Sequence, residues 1–114
     1  MNPAGLTPMA KIEIVVDDTD AAVVETLLQS QGATGWTAVP GLTGFGHHGR
    51  RQGRLLFNET GGQTLLMTVV PPALLDALVA GIQELLANRP GVMFVSETYV
   101  SRPHYFGVAQ QAAP

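Results

Sequence analysis

The stretch Thr34–Gly62, TGWTAVPGLTGFGHHGRRQGRLLFNETGG, decides how the rest of the chain is read. It begins as a β-rich run, Thr34 to Val39, with Trp36 and Val39 available to pack. Pro40 and Gly41 interrupt that run, and a long loop follows. Seven glycines fall from Gly41 to Gly62 inclusive, interleaved with His47, His48, Arg50, Arg51 and Arg54. A loop of this length inside a small domain is uncommon, and such loops are usually functional or disordered. Glycine lets backbone N–H groups come close to a ligand, and successive N–H groups form anion-binding nests. Guanidinium groups add fixed charge with forked donors. The residues by themselves leave two readings open. One is an anion-sensing loop on a rigid scaffold; the other is an exposed connection whose arginines are a solvated charge cluster.

A chain of 114 residues makes one domain. Folding at that size buries roughly two-thirds of the unfolded chain's surface, enough for a single core. A hydrophobic fraction of 46% with few charges excludes a disordered chain. The absence of cysteine excludes disulfides, thiolate metal sites and a cysteine nucleophile, and it fits a cytoplasmic location. Met1 to Gly5 shows no basic segment followed by an apolar core, so no secretory signal is expected. The apolar region Leu65–Leu86 is broken by Pro71, Pro72, Asp76, Gln83 and Glu84, which argues against a membrane span. The net charge of −3 argues against a nucleic-acid partner. Three of the six Lys and Arg residues sit at Arg50, Arg51 and Arg54, so the loop is locally cationic on an acidic body.

On either side of the loop the pattern alternates between strand and helix. Residues 1–9 hold Pro3, Gly5 and Pro8 and read as a flexible arm. Lys11–Val16 reads as a central strand. Asp17, Asp18 and Thr19 offer a helix N-cap, and Asp20 places a negative charge in the first turn. Val23, Val24, Leu27 and Leu28 form the buried face of a helix over about 19–31, which Gly32 ends. After the loop, Gln63–Val70 is a strand. Pro71 and Pro72 open a second helix whose buried face includes Leu74, Leu78, Ile82 and Leu85. Asn88–Gly91 stops it, and Val92–Val100 is the fourth strand. The order β-α-β-β-α-β predicts an α+β, ferredoxin-like sandwich: a four-stranded antiparallel sheet with both helices on one face. The strands are apolar on both sides, so the face without helices needs a cover, and an oligomer is expected.

At this point the residues resemble a known family. Gly32-Ala33-Thr34-Gly35-Trp36-Thr37, then Gly44-Phe45-Gly46, resemble the strand and the loop base of the PII signal-transduction proteins, whose long loop is called the T-loop. Gly91-Val92-Met93-Phe94-Val95 resembles the same family's strand after the second helix. The resemblance covers about residues 10–106, with a T-loop at about 44–62 and a flexible tail at 107–114. It implies a homotrimer with an adenine nucleotide in each cleft between subunits and a small anion that reports through the T-loop. Three departures narrow the branch. His47-His48 stand where typical members carry Arg-Gln, which puts 2-oxoglutarate sensing in doubt. Val92 replaces a phosphate-binding lysine, and Pro103 and Tyr105 replace two C-terminal arginines. The loop also lacks the tyrosine or serine that covalent modification uses. Fewer cations favour fewer phosphates, so ADP or AMP is expected to bind at least as well as ATP.

These features resemble the PII-like proteins of inorganic-carbon metabolism, the carboxysome-associated branch. That resemblance implies bicarbonate as the effector and control of a membrane bicarbonate transporter. The nucleotide contacts it implies are Thr37, Gly44, Phe45, Gly46, His47, Arg89, Gly91, Arg102 and His104. Gly46, His48, Arg50 and Arg51 are the anion contacts. No catalytic constellation is present, Asp17, Asp18 and Asp20 reading as helix caps, so a non-enzymatic regulator is expected. No metal is required, since two adjacent histidines with only His104 elsewhere fall short of a metal site. Two rivals stay open: a divalent-metal tolerance trimer of related fold, and a small ferredoxin-like oxygenase or isomerase using a histidine as acid or base.

Overall fold

A computed structural model of the chain describes residues 3–43 and 62–107. Four strands form one antiparallel sheet: β1 (Thr7–Asp17), β2 (Thr37–Leu42), β3 (Gln63–Val70) and β4 (Gly91–Val100), in the order β2-β3-β1-β4. Two helices, α1 (Ala21–Ser30) and α2 (Pro72–Leu86), complete the expected ferredoxin-like order.

The core lies between the helices and one face of the sheet. Ala10, Ile12, Ile14 and Val16 of β1 alternate into it, joined by Leu66 and Val70 of β3. Val24 and Leu28 of α1 and Leu78 and Ile82 of α2 supply the other side. These helical pairs are spaced by four residues, so each helix buries one stripe. Trp36 packs against the edge of this cluster. Gly32, at φ +99°, ends α1 as expected, and the Ala33 N–H donates to Leu28 O at 3.0 Å.

The opposite face carries the alternate residues. In register, Thr37 lies beside Met67, Met67 beside Glu13, and Glu13 beside Phe94; one row further along, Val39, Leu65, Val15 and Val92 line up. Residues directly opposite across strands share a face. Phe94 is 55% exposed, Val92 45% and Val39 41%. The uncovered apolar face expected from the sequence is therefore present in the single chain.

Three expectations need correction. β1 starts at Thr7 and pairs with Val100 there, so the arm expected over 1–9 is shorter, and Met9 is buried. Pro40 and Gly41 do not end β2. The strand runs through them to Leu42, with an irregular register between Val39 and Leu42. Asp17, Asp18 and Asp20 give no side-chain cap hydrogen bond at α1 or at the 3-10 turn Asp18–Asp20 before it.

Candidate functional site

All of the described site residues but Thr37 collect in two places. The first is the end of the sheet where the long loop is rooted. Leu42 pairs with Gln63, Gln63 with Asp17, and Val16 with Gly91, so the stems of the loop and the start of β4 lie side by side. The 3-10 turn joins them. The Asp18 N–H donates to Gly62 O at 3.0 Å, and the Thr64 hydroxyl donates to the Asp18 carboxylate. A Cβ on Gly62 would stand 2.8 Å from Asp18 Oδ2 and 3.3 Å from Gly41 Cα, so the two stems are pinched against this turn. From the same turn, Asp20 Oδ1 meets Arg89 Nε at 3.4 Å. Gly91 has φ +155°, a conformation that favours glycine.

The second group lies beyond the end of β4. Arg102 is the one described non-glycine residue with positive φ, at +55°. Such conformations are rare outside glycine and persist where the surroundings enforce them. Here the chain turns back into a 3-10 turn, Pro103–Phe106, and the Tyr105 N–H donates to Arg102 O at 3.0 Å. The Arg102 guanidinium carbon sits 5.8 Å from the centre of the Tyr105 ring, within range of a cation–π contact. His104 stands edge-on to the same ring at 4.8 Å. The Thr34 hydroxyl donates to Tyr105 O at 2.8 Å, fastening this segment to the lead-in of β2. Thr68 Oγ1 donates to Gly35 O at 2.7 Å and fixes that lead-in in turn.

The structure thus brings Arg89 and Gly91 to one end and Arg102 and His104 to the other. Nine residue steps of β4 separate the two ends, and at about 3.4 Å per residue that is ~30 Å. Thr37 lies between them on the open face of the sheet. No single chain gathers these five residues into one cleft. Gly44, Phe45, Gly46, His47, His48, Arg50 and Arg51 lie outside the described residues. Sequence reading assigned the three aspartates to capping and missed the roles of Asp18 and Asp20 around the loop root and Arg89. It also missed the Thr34–Tyr105 bond, whose partners are 71 residues apart with no local signal.

A cavity of about 380 Å³ opens between α2 and the adjoining strands, lined by Met9, Pro72, Leu75, Val95 and Glu97 among others. Among the described residues no group of three or more His, Cys, Asp or Glu side chains is arranged to hold a metal ion. No described helix is long and apolar enough to cross a membrane.

Comparisons with known proteins bear on the fold and the family. The family described as nitrogen regulatory protein P-II matches residues 9–105. No curated protein matches the chain. Among solved structures, CPII from Thiomonas intermedia, a nitrogen regulatory PII-like protein bound to ADP, AMP and bicarbonate, is 34% identical. That match covers 89% of this chain and 95% of CPII, with a TM-score of 0.76. CPII bound to ADP, AMP and acetate matches at 32% identity, over 89% of this chain and 96% of its own, with a TM-score of 0.74. CutA1 from Oryza sativa, at 15% identity over 90% of this chain and 91% of its own, has a TM-score of 0.57 and shares the fold alone.

Proposed function

The chain belongs to the nitrogen regulatory protein P-II family, in its PII-like CPII branch, and from that membership we propose that it is a sensor of adenine nucleotide and inorganic carbon. ADP or AMP occupies a cleft between subunits of a homotrimer, and bicarbonate is the effector. The observation that carries this reading is the ligand set of CPII, a protein one-third identical to this chain, bound to ADP, AMP and bicarbonate. The separation of Arg89 and Gly91 from Arg102 and His104 supports a shared cleft, because two copies are needed to bring those ends together. The loop over 44–62 displays the liganded state to a partner, a membrane bicarbonate transporter. Gly44, Phe45, Gly46 and His47 hold the nucleotide from the loop base, with Thr37 at the adenine. His48, Arg50 and Arg51 join Gly46 on the anion. Each effector acts only through its different affinity for the two loop states. No catalytic step is part of this function, and the protein works in the cytoplasm.

Calorimetry with ATP, ADP and AMP, each with and without bicarbonate, tests the reading. ADP or AMP binding that bicarbonate strengthens is the expected result. No binding of any nucleotide would sink it, and a stronger response to 2-oxoglutarate than to bicarbonate would remove inorganic carbon from it. Acetate in place of bicarbonate reports whether any small carboxylate suffices.

Arg102 provides a sharper test. A phosphate contact from a guanidinium is charge-assisted, and its loss should weaken ADP binding about tenfold or more. Arg102→Gly removes the side chain while easing the positive φ, so the backbone turn is kept. Unchanged ADP affinity in this variant takes Arg102 out of the site.

A further inference from the structure

Arg89 is a cation already engaged. Its Nε faces Asp20 Oδ1 at 3.4 Å, and its Nη1 donates to Leu85 O at 3.5 Å. Asp20 is not free to swing away on a long loop. It ends the three-residue 3-10 turn that Asp18 anchors, through its N–H to Gly62 and its carboxylate to Thr64. The carboxylate beside Arg89 is thus held in place by the backbone of the loop root. Asp17, Asp18 and Asp20 all sit at this end of the sheet.

Building on the nucleotide reading above, we infer that Asp20 sets how many phosphates the site accepts, admitting the mono- and diphosphate and disfavouring the triphosphate. A guanidinium paired with a carboxylate has less net charge to offer an incoming phosphate, and fewer of its five N–H donors are available. Each further phosphate adds negative charge that must either share Arg89 with Asp20 or face that carboxylate. At separations well inside a Debye length such repulsion is poorly screened. Specificity is a difference of affinities, and one fixed repulsive group is enough to create it. Val92, which stands where the PII proteins that the chain resembles carry a lysine, adds no cation of its own to offset this repulsion.

The test is the Asp20→Asn variant, which keeps the shape and removes the charge. Affinities for AMP, ADP and ATP are measured by calorimetry on the full chain, once in EDTA and once in Mg²⁺. In the variant, ATP is expected to tighten about tenfold relative to AMP. A ratio of ATP to AMP affinity unchanged within about twofold would overturn the inference, as would an equal change for all three nucleotides, the mark of a structural role. Weaker ATP binding in Mg²⁺ alone would overturn it too and make Asp20 a cation ligand. Asp20→Ser, compatible with a helix start, serves if the asparagine variant fails to fold. A wild-type protein that binds none of the three nucleotides overturns the functional reading itself. Wild-type binding with an unaltered preference in the variant overturns only the role of Asp20.

Discussion

Replacing Phe94 with aspartate is expected to turn the proposed trimer into folded monomers and to abolish the proposed nucleotide binding with it. In the single chain the Phe94 ring is 55% exposed on the sheet face that no helix covers. Its neighbours on that face include Val92 and Val15 along the strands and Met67 across them. Covering what remains exposed of this one ring removes on the order of 100 Å² from water, about 2–3 kcal/mol per copy. An aspartate there, sealed between copies without a partner, costs several kcal/mol more. The fold of one chain loses little, because this residue is not in the core between sheet and helices. Light scattering should therefore report one subunit, with the circular dichroism of the wild type unchanged. Calorimetry should report no ADP binding, since the proposed cleft between subunits is lost. A variant that stays trimeric, or one that binds ADP as a monomer, would refute the shared cleft.

Gly91→Ala should be the most damaging single-atom addition in the described chain. The new Cβ would lie 2.9 Å from Val15 O, 2.9 Å from Leu86 Cδ2 and 3.0 Å from Val16 Cγ1. Side chains can yield a little, but the carbonyl oxygen belongs to the central strand and cannot. The φ of +155° adds backbone strain for any residue with a Cβ. Together these predict a loss of about 2–4 kcal/mol, visible as a lower urea midpoint with an unchanged slope. Gly35→Ala is the control: a Cβ there meets nothing within 4 Å. Its effect should stay within about 0.5 kcal/mol. Equal stability of the two variants would mean that the start of β4 can shift without cost.

The layout of strands and helices was legible because each element keeps a clean period. Ile12, Ile14 and Val16 alternate, while Leu78 and Ile82 repeat at four. Proline misled the reading twice, for one reason. Pro8 belongs to a part of β1 that pairs with β4 alone, since β3 joins only from Ala10. Pro40 lies in β2, which pairs with β3 alone. A missing N–H is tolerated where one side of a strand has no neighbour, and a sequence does not show which strands are edges. The aspartates were misread because their side chains bond to residues far away in sequence. Thr64 is 46 positions from Asp18. The candidate site was legible as residue types and as a family pattern. Its division between two ends of the sheet follows from register, which no local pattern encodes.

The two edges of the sheet are unequal in a way that bears on the protein's life before assembly. β2 is six residues long and irregular, with a proline in its middle, and offers a poor template to another strand. β4 is ten residues long, has no proline and carries a single charge, Glu97. Val92 and Phe94 are exposed on one of its faces and Val95 on the other. A newly made chain therefore presents one sticky edge and one blunt edge. Pairing of one copy's edge with another's is therefore expected at β4 rather than at β2.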